Sequence, residues 1–115
     1  MKINVLLDKG VYKYSVDENA PLHTAFVHHC PLSQQITWRS SLPGQPVTVT
    51  FHSDICPFVN ANGTPLDRST ATFTPGQAVK VNPVFPRERY YSRVKYTVTL
   101  PDAQPDDPEV IIVDG

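Results

Sequence analysis

The chain reads as an all-β protein: an antiparallel Greek-key β-sandwich of 7–8 short strands. Three observations predict it. Several segments alternate apolar and polar residues with a period of two, the pattern of a half-buried strand. Twelve prolines in 115 residues are spread through the sequence and punctuate it with turns. Proline also disfavours helix interiors, and no stretch offers a long helical periodicity.

Length and composition set the frame. Residues 1–115 form a single domain, long enough to bury one real core without staples. The chain is 40% hydrophobic and 18% charged, ordinary values for a globular protein rather than a disordered one.

In chain order, Ile3–Leu7 is a first strand, turned by Lys9-Gly10 into Val11–Val16, whose Tyr12, Tyr14 and Val16 share one face. Asp17, Glu18, Asn19 and Pro21 break the pattern. Leu22–Cys30 lies between Pro21 and Pro31 and is too short for a well-formed helix, so it is taken as extended. Ile36–Ser40 carries Trp38, the only tryptophan, and Leu42–Pro46 is a turn. Val47–His52 alternates cleanly. Asp54–Asp67 reads as irregular, with Asn62-Gly63 a turn dipeptide. Ser69–Thr74 and Gln77–Asn82 flank Pro75-Gly76 as a hairpin, and Val84–Arg89 is a connector.

The segment 90–115 holds the two clearest strands. Val94, Tyr96, Val98 and Leu100 alternate with Lys95, Thr97 and Thr99. Val110–Val113 is an apolar run, expected to be covered on both faces. The linker 101–108 between them contains three prolines and three aspartates, which excludes helix interior or central strand.

Several function classes are disfavoured. The formal net charge of −1 provides no surplus to neutralise phosphates, so nucleic acid is not an expected partner. No segment reaches the ~18 apolar residues of a membrane span. Asp8 and Lys9 interrupt the first apolar run before a signal-peptide core could form. With Met1 as the start, the cytoplasm is the expected compartment; a leader removed ahead of Met1 would void that expectation. A Cys30–Cys56 disulfide would stabilise by about 3 to 4 kcal/mol, but a cytosolic address favours two reduced thiols.

Four groups of residues could carry chemistry. His23, His28, His29 and Cys30 cluster in sequence, and His52 and Cys56 form a second group; imidazole and thiolate are what Zn or Cu would take. The spacing matches no finger, and the vicinal His28 and His29 point to opposite faces of a strand. The plainer expectation is therefore no bound metal or cofactor, with Cys30 and Cys56 as small buried residues. Asp102, Asp106, Asp107 and Glu109 form an acidic loop, whose carboxylates could hold Ca2+ only by converging; a solvated loop is expected. Ser40, Ser41, Ser53 and Asp54 could join a histidine in a hydrolytic triad, but no nucleophile elbow is present and no catalytic residue is assigned. Phe85, Arg87, Arg89, Tyr90 and Tyr91 combine aromatic and guanidinium groups, the residue types enriched in interface hot spots.

Ile36-Thr37-Trp38-Arg39, a turn, then Val47-Thr48-Val49-Thr50-Phe51 resembles the central hairpin of the cupredoxin fold. Val94–Val98, a proline-containing loop, then Val110–Val113 resembles its ligand-bearing end. The resemblance covers roughly residues 36–115. It implies a cupredoxin-like scaffold, within the broader class of immunoglobulin-like sandwiches. In copper-binding members a His follows the turn after the first strand, and a Cys, a His and usually a Met lie at the loop between the last two. Here Gln45-Pro46, Thr97-Val98 and a loop without His, Cys or Met occupy those places, and Met1 is the only methionine. The resemblance thus implies the scaffold without copper. Asp107-Pro108 before a closing strand also resembles the uncharacterised bacterial proteins grouped as the DP-EP family, although Val113 is followed by Asp114-Gly115. The expected function is a non-enzymatic binding or interaction module, acting on an unknown protein partner or on itself. The alternative is a Zn- or Cu-binding protein built on the histidines and cysteines of residues 23–56.

Overall fold

The computed structural model describes residues 1–18 and 21–115. Among the described residues, ten strands form two five-stranded sheets. They are β1 (Lys2–Asp8), β2 (Val11–Val16), β3 (Val27–Pro31), β4 (Gln35–Ser40), β5 (Val47–Phe51), β6 (Phe58–Asn60), β7 (Thr70–Phe73), β8 (Val79–Val81), β9 (Arg93–Thr99) and β10 (Glu109–Val113). Short 3-10 turns cover Asp67–Ser69 and Arg87–Arg89. Among the described residues no helix is long and apolar enough to cross a membrane.

The first sheet runs β2-β1-β4-β8-β6 and the second β3-β10-β9-β5-β7. Both are mixed. β1 lies parallel to β4, with Ile3 opposite Trp38, and β3 lies parallel to β10, with Val27 opposite Glu109. The expectation of a purely antiparallel sandwich of 7–8 strands is thereby corrected. Alternation predicts which face is buried but carries no information about strand direction, because parallel and antiparallel ladders tolerate the same inward residues.

The extra strands come from two places. Phe58–Asn60 extends within the region expected to be irregular, where β8 pairs with it. The extended stretch before Pro31 narrows to β3, docked on β10.

Two expected hairpins do not form. β7 pairs with β5 in the second sheet, whereas β8 pairs with β4 and β6 in the first. Pro75-Gly76 is thus a corner between layers, with Gly76 at φ 88°. β4 and β5 likewise sit in opposite sheets, so the 42–46 turn also crosses between layers. In each case both strands bury their apolar faces in the same core, but from opposite sides.

That core is assembled by the alternating positions: Ile3, Val5, Tyr14, Ile36, Trp38 and Val79 from one sheet, and Val47, Val49, Phe51, Tyr96, Val98, Val110 and Ile112 from the other. Trp38 is its centre. Its ring meets Phe51, Phe58, Phe73 and Tyr96 at centroid separations of 6.0, 6.3, 5.1 and 5.5 Å. Three of these contacts are edge-on, an arrangement that aromatic quadrupoles favour, and that with Phe73 is tilted. β10 departs from the expectation of cover on both faces. Val110 and Ile112 are buried, while Ile111 and Val113 are half-exposed.

Candidate functional site

The histidines and cysteines do not converge. The strand parity of β3 sends His28 inward and His29 out to solvent. His23 is exposed, its backbone bridging Tyr14 through paired 2.8 Å hydrogen bonds. His52 is exposed, with Nε2 2.6 Å from Thr97 Oγ1. Cys30 is buried and Cys56 half-buried, and both are free thiols. Burial pushes the Cys30 thiol up to about 12 and raises that of Cys56, opposite to what a nucleophile or metal ligand needs. Among the described residues no three His, Cys, Asp or Glu side chains are grouped to hold a metal ion.

His28 is instead part of a buried polar triad. Trp38 Nε1 donates to the Tyr96 hydroxyl at 3.4 Å, and that hydroxyl lies 2.8 Å from His28 Nε2. An indole nitrogen can only donate, so the Tyr96 hydroxyl accepts from Trp38, and its contact with His28 Nε2 runs in either direction according to the imidazole tautomer. His28 Nδ1 has no partner.

The 101–108 linker is fastened down. Tyr12 and Tyr14, one face of β2, reach across to it. The Tyr12 hydroxyl donates to the Gln104 carbonyl at 2.7 Å and accepts from the Leu100 amide at 3.2 Å. The Tyr14 hydroxyl donates to Asp106 Oδ2 at 2.7 Å. Burial, the hydrogen bond to Asp106 and its charge all push the Tyr14 phenol up. Asp106 also bridges Val98 through two backbone hydrogen bonds of 2.8 and 2.9 Å. Glu109 on β10 faces Arg93 on β9 at 3.9 Å. Asp106 and Glu109 are therefore committed to different partners, and the four acidic residues do not form a shared site.

The register pairing Thr48 with Thr99 brings the 42–46 turn and the 100–108 linker to one end of the second sheet. That end is closed by tyrosine hydroxyls.

Of the five interface candidates, Phe85 is corrected. It is only 2% exposed, because its ring packs under Tyr90 in a stack of 6.3 Å and joins the core. An aromatic residue in a proline-flanked connector carries no periodicity that would reveal its burial. Tyr90 is half-buried by the same stack. Arg89 is engaged in a two-pronged pair with Asp54, with Nη2 to Oδ2 at 3.0 Å and Nη1 on Oδ1. That guanidinium holds the Asp54 carboxyl down to about 2. Arg87 is exposed.

Tyr91 is 65% exposed. Its φ is 67°, a left-handed conformation that is strained for a bulky side chain. Its amide donates to the Ile112 carbonyl at 2.9 Å, which fixes the backbone there. The Phe85–Tyr90 stack and the Arg89–Asp54 pair brace the preceding turn.

A separate groove of about 630 Å3 runs beside β4, between the 41–45 and 74–76 turns. Lys2 and Arg39 lie along it, and Arg39 pairs with Glu18 at 3.7 Å. Ser40 and Ser41 line it too, without a histidine.

No family model, curated protein or solved structure gives a significant match to this chain. The fold defines its class: among the described residues, an all-β, sandwich-like arrangement of two mixed five-stranded sheets.

Proposed function

We propose that this chain is a non-enzymatic interaction module on a cupredoxin-like Greek-key scaffold without copper, and that it associates with a protein partner or a second copy through the surface around Tyr91. The observation that carries this reading is Tyr91 itself. A large aromatic ring is 65% exposed on a backbone held at φ 67°. Such strain costs on the order of 1–3 kcal/mol and persists where the surroundings over-determine it. A tyrosine on a fixed backbone loses little main-chain freedom on binding, a property that helps an anchor. Arg87 lies on the same turn and supplies a solvent-facing guanidinium. The absence of copper is supported by what stands at the 42–46 and 100–108 end, where Tyr12 and Tyr14 occupy the linker's polar groups. Among the described residues, the histidines and cysteines of residues 23–56 are not grouped in threes as the Zn or Cu alternative would need.

The test uses Tyr91→Ala and Arg87→Ala, which leave the Phe85–Tyr90 stack and the Arg89–Asp54 pair intact. Sedimentation velocity and pull-down are compared with the parent chain. The expected outcome is association weakened at least tenfold with an unchanged unfolding midpoint. Unchanged association in both variants would refute the reading.

A further inference from the structure

The second sheet ends on β3, which is hydrogen-bonded along one side only, to β10. Glu109 N donates to the Phe26 carbonyl at 3.0 Å. By alternation, His28 and Cys30 also turn their backbone groups to β10, while those of Val27 and His29 face outward. β3 therefore depends on one ladder and on the inward side chains Phe26, His28 and Cys30, each at most 5% exposed.

His28 is poorly provided for if charged. Phe26 stacks on its ring at 4.8 Å, and Trp38 from β4 and Tyr96 from β9 stand edge-on at 6.1 and 5.7 Å. Of the two ring nitrogens, Nε2 is held by the Tyr96 hydroxyl and Nδ1 has no partner, whichever of them carries the proton of the neutral ring. The remaining titratable groups nearby are His29 on the same strand, facing outward, and Tyr14 of β2 behind Phe26, carrying Asp106 on its hydroxyl. None of the ion pairs among the described residues includes His28. An imidazolium here would carry an N–H at Nδ1 with no acceptor and would gain no carboxylate. Burial, aided by the charge of neighbouring His29, accordingly pushes the ring down to about 3.

We propose that β3 is an acid-released edge strand: protonation of His28 frees residues 27–31 from β10 while the other strands stay paired. The direction follows from linkage. The pKa is depressed in the closed state, so the contribution of His28 to closure is fully present above its ordinary value of ~6.5 and is lost as pH falls towards 3. Release relieves the charge because it returns both ring nitrogens to water. β3 is where this is cheapest, since β4 and β9 are paired on both sides.

Amide hydrogen exchange tests this, with protection of the His28 and Cys30 amides compared at pH 7.5 and 5.0 after correction for intrinsic rates. Val49 and Val98, inside the second sheet, are the reference. If released His28 titrates near 6.5, the opening constant rises ~30-fold over that interval. The expected result is a ~30-fold loss of protection in β3, a smaller loss at the reference amides, and a flat response in His28→Leu. Unchanged protection in β3, or equal loss at Val49 and Val98, would overturn the proposal. Should His28→Leu fail to fold, the His28 ring resonances of the parent chain decide: no titration in the folded form down to pH 5.0 supports it, and titration near 6.5 overturns it.

Discussion

Removing the two tyrosine hydroxyls that hold the 101–108 linker should cost far more than a surface loop normally commands. In Tyr14→Phe the Asp106 carboxylate loses a 2.7 Å donor. A hydrogen bond to a charged group contributes ~1.5–3 kcal/mol, and because Asp106 is half-exposed, water recovers some of it, leaving about 1.5–2. In Tyr12→Phe the Leu100 amide and the Gln104 carbonyl both lose their partner. Leu100 is 3% exposed, so its N–H has poor access to replacement water, and the cost is ~2 kcal/mol. With an unfolding entropy of about 2.1 cal/mol/K per residue over 115 residues, 2 kcal/mol lowers Tm by ~8 °C. The assay is urea unfolding and calorimetry of both single variants and the double variant. The hydroxyls act on one linker and the rings stack at 6.3 Å, so the double variant should depart from additivity by at least 0.5 kcal/mol. Single-variant losses below ~0.5 kcal/mol, with the Asp106 amide still protected, would refute the staple.

Two further outcomes are expected. Tyr91→Gly should raise the urea midpoint by an amount worth about 1 kcal/mol, because glycine adopts φ 67° without a Cβ clash, while association falls as in Tyr91→Ala; a destabilised Tyr91→Gly would show that the ring is structural. Cys30, buried and with its thiol pushed up to about 12, should resist iodoacetamide in native buffer and alkylate only on unfolding, whereas half-buried Cys56 reacts first; equal rates by mass spectrometry would contradict the burial.

How much of this was legible in the residues depended on the range of the interaction concerned. Period-two alternation located β1, β2, β4, β5 and β9 to within a residue or two and set Tyr96 on one face with Val94, Val98 and Leu100. These are properties of a strand and the face it buries. The pairing of strands was not legible. A turn such as Pro75-Gly76 reads the same whether it closes a hairpin or carries the chain from one sheet to the other. The candidate residues followed the same rule. The opposed directions of His28 and His29 come from local parity and were foreseeable. The burial of Phe85, the engagement of Arg89 by Asp54 and the grip of Tyr12 and Tyr14 on a linker some ninety residues later depend on tertiary placement. The one available signal for the last was that both tyrosines fall on the inward face of β2, where a buried hydroxyl must find a partner.

The parallel alignment of β3 with β10 also constrains how the chain reaches this structure. Val27 waits for Glu109, and Pro31 for Val113, a separation of 82 residues in each case. Contacts this distant require most of the intervening chain to be ordered before they form, which slows folding. During synthesis β3 has no strand to join until residue 113 has emerged, so its apolar inward face stays exposed while β1, β2 and β4 can already assemble. A chain interrupted before β10 would lose the strand that ties β3 to β9, and with it the cover over one end of the core.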